Sequence, residues 1–312
     1  MSLERALELA ERGRGTTHPN PIVGAVVVRD GEVVGEGWHE RKGDPHAEVI
    51  ALEAAGEQAR GATLFVTMEP CAHHGSTPPC TEAVLSAGIT RVVAASLDPN
   101  PEARGGLEVL RAAGVDAELE DRFEARAQNE AWRTWVSQGR PLVTYKVAVT
   151  LDSRVALPGE RWVSGEESRR LVHEVRAASD AVGVGMGTVR ADDPRLDARG
   201  VDAPRQPRRL AFGRGPLPDG SELELRSGPL RDELAALARE RVQSLLLEGG
   251  PTLAGAFFAE RLVDKLLVFV APKVADTGPG AFDHVEIPAT LRRLTARRVG
   301  EDVLLSAYVN EP

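Results

Sequence analysis

Apolar residues recur along the chain in two alternating rhythms, and the switches between them mark the expected elements. Leu3, Ala6, Leu7 and Ala10 fall on one face of a helix over 3–12. Strand-like runs follow at 22–28 and 33–38, and Asp30-Gly31 between them predicts a hairpin turn. A helix is expected over 46–55, with Asp44 as N-cap and Pro45 at its first position. A strand at 63–67 then leads into EPCAHHGSTPPC, and a helix at about 80–87 closes on Gly88. A strand at 91–96, a helix at 107–113, a short strand at 115–119 and one long helix over 121–138 complete the first half. This alternation predicts an α/β sandwich whose sheet is largely parallel after the first hairpin.

Gly139-Arg140-Pro141 breaks the pattern, which sets the expected domains at 1–140 and 141–312. The second half repeats the α/β rhythm: strand 142–149, helix 166–177, strand 181–184, helix 230–239, strand 244–247, helix 252–260 and strand 265–270. Two strand-like runs near Leu294 and over 303–308 end it. The segment 205–220, rich in Pro, Gly and Arg, reads as a loop-heavy connection.

Composition narrows the function classes. Hydrophobic residues make up 42% and aromatics only 4%, so the cores must be built from Leu, Val and Ala. The net charge of −9 argues against a basic nucleic-acid surface, though local arginines can serve one phosphate. No apolar run reaches the length of a membrane span, and the charge-studded N-terminal helix is unlike a signal peptide, so a cytoplasmic protein is expected. Two cysteines in 312 residues make no disulfide framework.

Those cysteines, Cys71 and Cys80, each stand beside a proline at a strand-to-helix junction, and His46 stands at a third. One imidazole and two thiolates are donors that Zn²⁺ prefers, and three protein ligands leave a fourth position for water. Glu48, two residues after His46, can share that helix end only if both lie in the first turn. Zinc deaminases carry H-x-E followed by P-C-x-x-C. Here eight residues separate the cysteines, so a zinc site requires that they loop back to the same end of the sheet. Two buried thiols without metal, or a closed structural zinc site with His74 or another side chain as fourth ligand, remain open on this reading.

THPNPIVGAVVV, HAEVIAL, EPCAHHGSTPPC and RVVAASLDPNP resemble the deaminase half of the bifunctional riboflavin-biosynthesis deaminase/reductases. YKVAVTLDSRVA, RWVSG, VRAASDAVGVGMGTVRADDPRL and LLLEGGPTLAGAF resemble the reductase half. The resemblance implies a cytidine-deaminase-like three-layer α/β/α domain followed by a dihydrofolate-reductase-like α/β domain. It implies zinc on His46, Cys71 and Cys80, with Glu48 as proton shuttle, and substrate contacts from Asn20 and His73. From the residues alone Asn20 is as well explained as a turn residue between two prolines. In the second half it implies NADPH contacts from Ala148, Trp162, Thr188, Asp192 and the Gly250-Pro251-Thr252-Leu253 turn. Arg176, Leu196, Arg199 and Glu248 are the implied substrate contacts. The implied substrate is a phosphorylated pyrimidine, and the implied assembly a homo-oligomer.

The chain departs from the family pattern in places. Ser76 stands where a Lys or Arg usually meets the substrate phosphate, leaving Arg104 or Lys42 as candidate cations. Phe212-Gly213 stands where an apolar strand usually ends in Asp. Asp152 matches a frequent family residue whose role, at a turn or near the nicotinamide, is open. The competing readings are a nucleobase or nucleotide deaminase with a non-catalytic C-terminal domain, and a structural zinc protein.

Overall fold

The computed structural model describes residues 2–74, 78–286 and 290–312. The chain divides into two compact units, 1–138 and 139–311.

In the first unit the strands are β1 (Gly24–Arg29), β2 (Glu32–Trp38), β3 (Thr63–Val66), β4 (Arg91–Ala94) and β5 (Asp116–Leu119). They stand in the order β2-β1-β3-β4-β5, antiparallel through β3 and parallel from β3 to β5. Its helices are α1 (Ser2–Glu11), α2 (Ala47–Ala55), α3 (Cys80–Ser86), α4 (Gly106–Ala112), α5 (Phe123–Gln128) and α6 (Glu130–Gln138). Strand residues alternate between two cores, as the period of two requires. Ala25, Val27, Leu64, Val66 and Val92 pack with Ala51, Val84 and Leu110 of α2, α3 and α4. Val26 and Val93 face the other way, onto Leu3, Leu9 and Ala125 of α1 and α5. Each such fully buried Leu or Val contributes roughly 1.5–3 kcal/mol.

The second unit is built on an eight-stranded sheet, β12-β13-β11-β6-β10-β7-β8-β9. The strands are β6 (Leu142–Val149), β7 (Ala181–Gly185), β8 (Arg208–Phe212), β9 (Glu224–Arg226), β10 (Ser244–Leu247), β11 (Lys265–Val270), β12 (Arg292–Val299) and β13 (Asp302–Tyr308). β11 through β9 are parallel, and β13 and β12 are added antiparallel. Helices α9 (Leu230–Arg239) and α10 (Pro251–Ala259) pack on Val143, Tyr145, Leu245 and Leu247. On the opposite face α7 (Glu166–Ala178) brings Val172 against Phe269 and Leu304, and α8 (Met186–Asp192) brings Val189 against Val182 and Leu246.

Three sequence expectations are corrected. α2 is capped by His46 in extended backbone, not by Asp44, and no side chain caps it. The expected single helix over 121–138 breaks at Asn129, whose amide accepts from the Ile22 N–H at 2.9 Å and donates to the Ile22 carbonyl at 2.8 Å. The connection 205–220 contains β8, a buried strand paired on both sides. Among the described residues no helix is long and apolar enough to cross a membrane.

Candidate active sites

Three junctions at one end of the first sheet carry the candidate metal ligands. His46 is the N-cap of α2, so its ring leaves the helix while Glu48, in the first turn, stays beside it. Cys71 lies five residues beyond β3, and Cys80 opens α3. Gly106 lets α4 ride against the outgoing strand: a Cβ there would stand 1.7 Å from the Pro70 carbonyl. His46 Nδ1 is 3.2 Å from Cys80 Sγ and 3.7 Å from Cys71 Sγ, and the three donor atoms lie within 4.8 Å of one another. Tetrahedral Zn²⁺ at ordinary bond lengths asks for donor separations of roughly 3.6–3.8 Å. The donor set and spacing fit that ion.

The electrostatics agree with a cation site. Hydrogen bonding from the Cys80 thiol and backbone N–H, and from His46, outweighs burial and holds the Cys71 thiol down at about 4. Cys80, sharing the site with a first thiolate, is pushed up. Hydrogen bonding to Cys71 raises His46. Burial pushes the Glu48 carboxyl up to about 7, into the range of a general base and acid. His74 is exposed and faces Glu82 at 3.2 Å, outside this donor group.

Glu48 opens on a cleft of about 340 Å³ that Asn20, His39, His73, Asp98 and Trp132 also line. Asn20 Nδ2 stands 3.4 Å from His39 Nε2, and His39 Nδ1 lies 3.2 Å from the Pro45 carbonyl, next to the ligand His46. Burial lowers the pKa of His39 and so favours the neutral ring. With Nδ1–H donated to Pro45, Nε2 is left to accept from the Asn20 amide. His73 Nδ1 is buried and has no hydrogen-bond partner among the described residues. Asn129 explains the far wall, because its clamp on Ile22 sets α6 so that Trp132 and Trp135 face the cleft. His39, Asp98 and the two tryptophans escaped the sequence reading. Asp98 alone carried a signal, inside LDPNP. The expectation at Ser76 lies outside the described residues.

In the second unit Ala148 lies near the end of β6, Thr188 follows β7, and Glu248 and Gly250 follow β10, at the carboxyl ends of parallel strands where open α/β sheets bind ligands. Glu248, just past β10, takes a bidentate ion pair from Arg176 at 2.6 and 3.1 Å. Lys146, missed in the sequence although it is two residues from Ala148 on one face of β6, stands 3.6 Å from Glu248. Burial disfavours the Glu248 charge, but Lys146 and Arg176 outweigh it and keep the carboxyl below its usual range. Arg176 Nη1 also donates to the Asp197 carbonyl at 3.1 Å, which tethers the loop carrying Leu196 and Arg199. The Leu196 side chain is buried in the core, and Arg199 is exposed and paired with Asp197. Asp152 spends both oxygens on the N–H groups of Ala275 and Asp276, at 3.0 and 2.9 Å, so here it fixes a turn.

Thr188 and Asp192 lie on α8, after β7, and Trp162 is half exposed between Arg161 and Arg169. Gly250 caps α10 in extended backbone, and a Cβ on it would meet nothing within 4 Å. The first intrahelical bond of α10 runs from Ala254 to Gly250, so the Thr252 and Leu253 N–H groups have no partner within the helix. Open backbone and free N–H groups at a helix start suit the pyrophosphate of a dinucleotide.

The comparisons with known proteins bear on both units. Residues 2–96 match the family described as cytidine and deoxycytidylate deaminase zinc-binding region, and residues 141–305 match the RibD C-terminal domain. The chain is thus an enzyme of two parts, a zinc-dependent deaminase followed by a reductase. It is 40% identical to the riboflavin biosynthesis protein RibD of Aquifex aeolicus, over 97% of this chain and 96% of that protein. It is 38% identical to its Escherichia coli counterpart, over 97% of each. The crystal structure of RibD from Acinetobacter baumannii superposes with a TM-score of 0.83 at 35% identity, covering 98% of this chain and 97% of that one. The structure of a diaminohydroxyphosphoribosylaminopyrimidine deaminase/5-amino-6-(5-phosphoribosylamino)uracil reductase from Thermotoga maritima gives the same score at 33% identity, with the same coverage. The chain belongs to the RibD family of riboflavin biosynthesis proteins.

Proposed function

We propose that the chain hydrolytically deaminates 2,5-diamino-6-(5-phosphoribosylamino)pyrimidin-4-one and then reduces the ribosyl group of the product to ribityl with NADPH. The observation that carries this reading is the His46, Cys71 and Cys80 triangle with buried Glu48 beside it, opening on a cleft. The substrate class follows from the two activities that name the Thermotoga maritima relative.

In the first reaction His46, Cys71 and Cys80 would hold the ion. When bound, Zn²⁺ supplies a water nucleophile that loses its proton near neutral pH. Glu48 takes that proton and returns it to the pyrimidine, so that a C–O bond replaces the C–N bond and ammonia leaves. Asn20 and His73, which line the cleft, contact the substrate. In the second reaction the substrate lies against Arg176, Glu248 and Arg199, with Lys146 and Arg176 keeping Glu248 ionised. Ala148, Trp162, Thr188, Asp192 and the Gly250–Leu253 turn would seat NADPH, which supplies hydride to C1′ of the ring-opened sugar.

The test is an assay of that substrate with zinc-loaded protein. Ammonia should appear without NADPH, and NADPH should be oxidised only after deamination. Glu48→Gln should cut ammonia release by roughly 10²-fold or more while zinc content, read by metal analysis, stays at one ion per chain. No ammonia from the zinc-loaded wild type would overturn the reading.

A further inference from the structure

The loop after α8 carries Arg199, and its backbone is held from two sides. His173 and Arg176 stand three residues apart on one face of α7. Arg176 Nη1 and His173 Nδ1 both reach the Asp197 carbonyl, each at 3.1 Å. A carbonyl can only accept, so that contact makes His173 Nδ1 a donor. The Arg199 backbone nitrogen lies 3.4 Å from the same ring atom, so the chain on both sides of Ala198 runs against His173. From the other side Gln206 closes a clamp of two bonds on Ala198. Its Oε1 accepts from the Ala198 N–H and its Nε2 donates to the Ala198 carbonyl, each at 2.9 Å. Gln206 stands two residues ahead of β8, so the clamp ties the loop to the sheet.

The neighbouring backbone needs such support. Leu196 has φ of 53°, a left-handed conformation that a branched side chain disfavours, and its side chain is packed with Val184, Met186 and Val189. A residue of this kind persists where its surroundings over-determine it. Asp197 adds ion pairs to Arg195, at 3.2 Å, and to Arg199. The main chain from Asp197 to Arg199 is thus fixed, while the Arg199 side chain stays about half exposed.

We propose that His173 and Gln206 are positioning residues of the reduction, holding the 197–199 backbone so that Arg199 is presented to the substrate beside Arg176. The inference rests on the reading above in which Arg176 and Arg199 contact that substrate. On a fixed main chain Arg199 has only its side chain to order when substrate binds. On a loose loop the backbone would have to be ordered as well, and substrate affinity would fall.

The test is steady-state reduction by the full zinc-loaded chain, with the deaminated substrate varied at saturating NADPH. Arg199→Ala sets the scale and should raise KM roughly tenfold or more. Gln206→Ala and His173→Ala should each raise KM by about threefold to tenfold, with kcat within about twofold of wild type and NADPH affinity, read by calorimetry, unchanged. His173→Asn, whose amide can donate in place of Nδ1, should recover most of the loss. Adding either alanine change to Arg199→Ala should raise KM no further, because both act through that residue. Additive effects in the double variants, a parallel loss of substrate and NADPH affinity, or a KM unmoved in both single variants overturns the proposal and leaves Arg199 as a substrate contact. A KM unmoved in Arg199→Ala removes that contact and this inference with it. A wild type that oxidises no NADPH removes the reductase reading itself.

Discussion

Asp98 shows what a buried carboxyl in the cleft wall costs the fold. Its N–H is donated to Glu69 at 3.0 Å, and its Oδ1 accepts from the Asn100 N–H at 2.8 Å. Burial pushes its carboxyl up to about 6, against the Asn100 hydrogen bond and with help from the Glu69 charge. In the unfolded chain the same group titrates near ~3.9. Between these values the folded state holds the extra proton, so rising pH costs stability through that window and the loss persists above it. Asp98→Asn removes the titration, and the variant should gain up to about 2 kcal/mol over wild type between pH 4 and pH 7. Urea midpoints at the two pH values decide it, and parallel lines for the two proteins would refute the account. The candidate ligands themselves were legible because soft donors are rare in this chain and both cysteines sit in one stretch. The residues that orient them were not. His39 acts through a ring tautomer and a carbonyl six residues away, and no residue type or spacing announces that.

Between elements, the metal end depends on how closely α2 can lie on β2. Cβ atoms on Gly35 and Gly37 would stand 2.2 Å from the Ala51 carbonyl and 2.4 Å from the Ala47 carbonyl. Two glycines facing two alanines thus set the height of the helix that starts with His46 and Glu48. Gly35→Val should lift α2, cost roughly 1–3 kcal/mol, and weaken zinc retention against a chelator. A variant that melts lower yet holds zinc like wild type would separate the packing from the site. Most elements were readable from periodicity, and the exceptions share a cause. β8 has two arginines at its start and only Leu210, Ala211 and Phe212 buried, too short a signal inside a Pro, Gly and Arg background. Asn129 interrupts a helical pattern because its amide is spent on Ile22, a tertiary bond between residues 107 positions apart. Asp44 lost the cap because the helix start is set by the His46 ring reaching the cysteines, and not by a local side-chain bond.

At the scale of the whole chain, one buried ion pair secures the second unit where it begins. Arg140 meets Asp264 at 2.6 and 2.7 Å, and Asp264 also accepts from the Val143 N–H and from Asn310 near the C-terminus. Asp264 is 1% exposed, so Arg140→Ala would strand a buried carboxylate and cost about 3–5 kcal/mol. Calorimetric unfolding should show the reductase transition falling while the deaminase transition and ammonia release hold. A uniform shift of both would contradict a local role. The helix set by Asn129 has a practical consequence for anyone dissecting this enzyme. The zinc-binding match stops at residue 96, yet Trp132 and Trp135 wall the cleft, so the minimal excisable deaminase extends to Gln138. A fragment cut at the motif's edge would keep its metal ligands and lose the roof over its substrate.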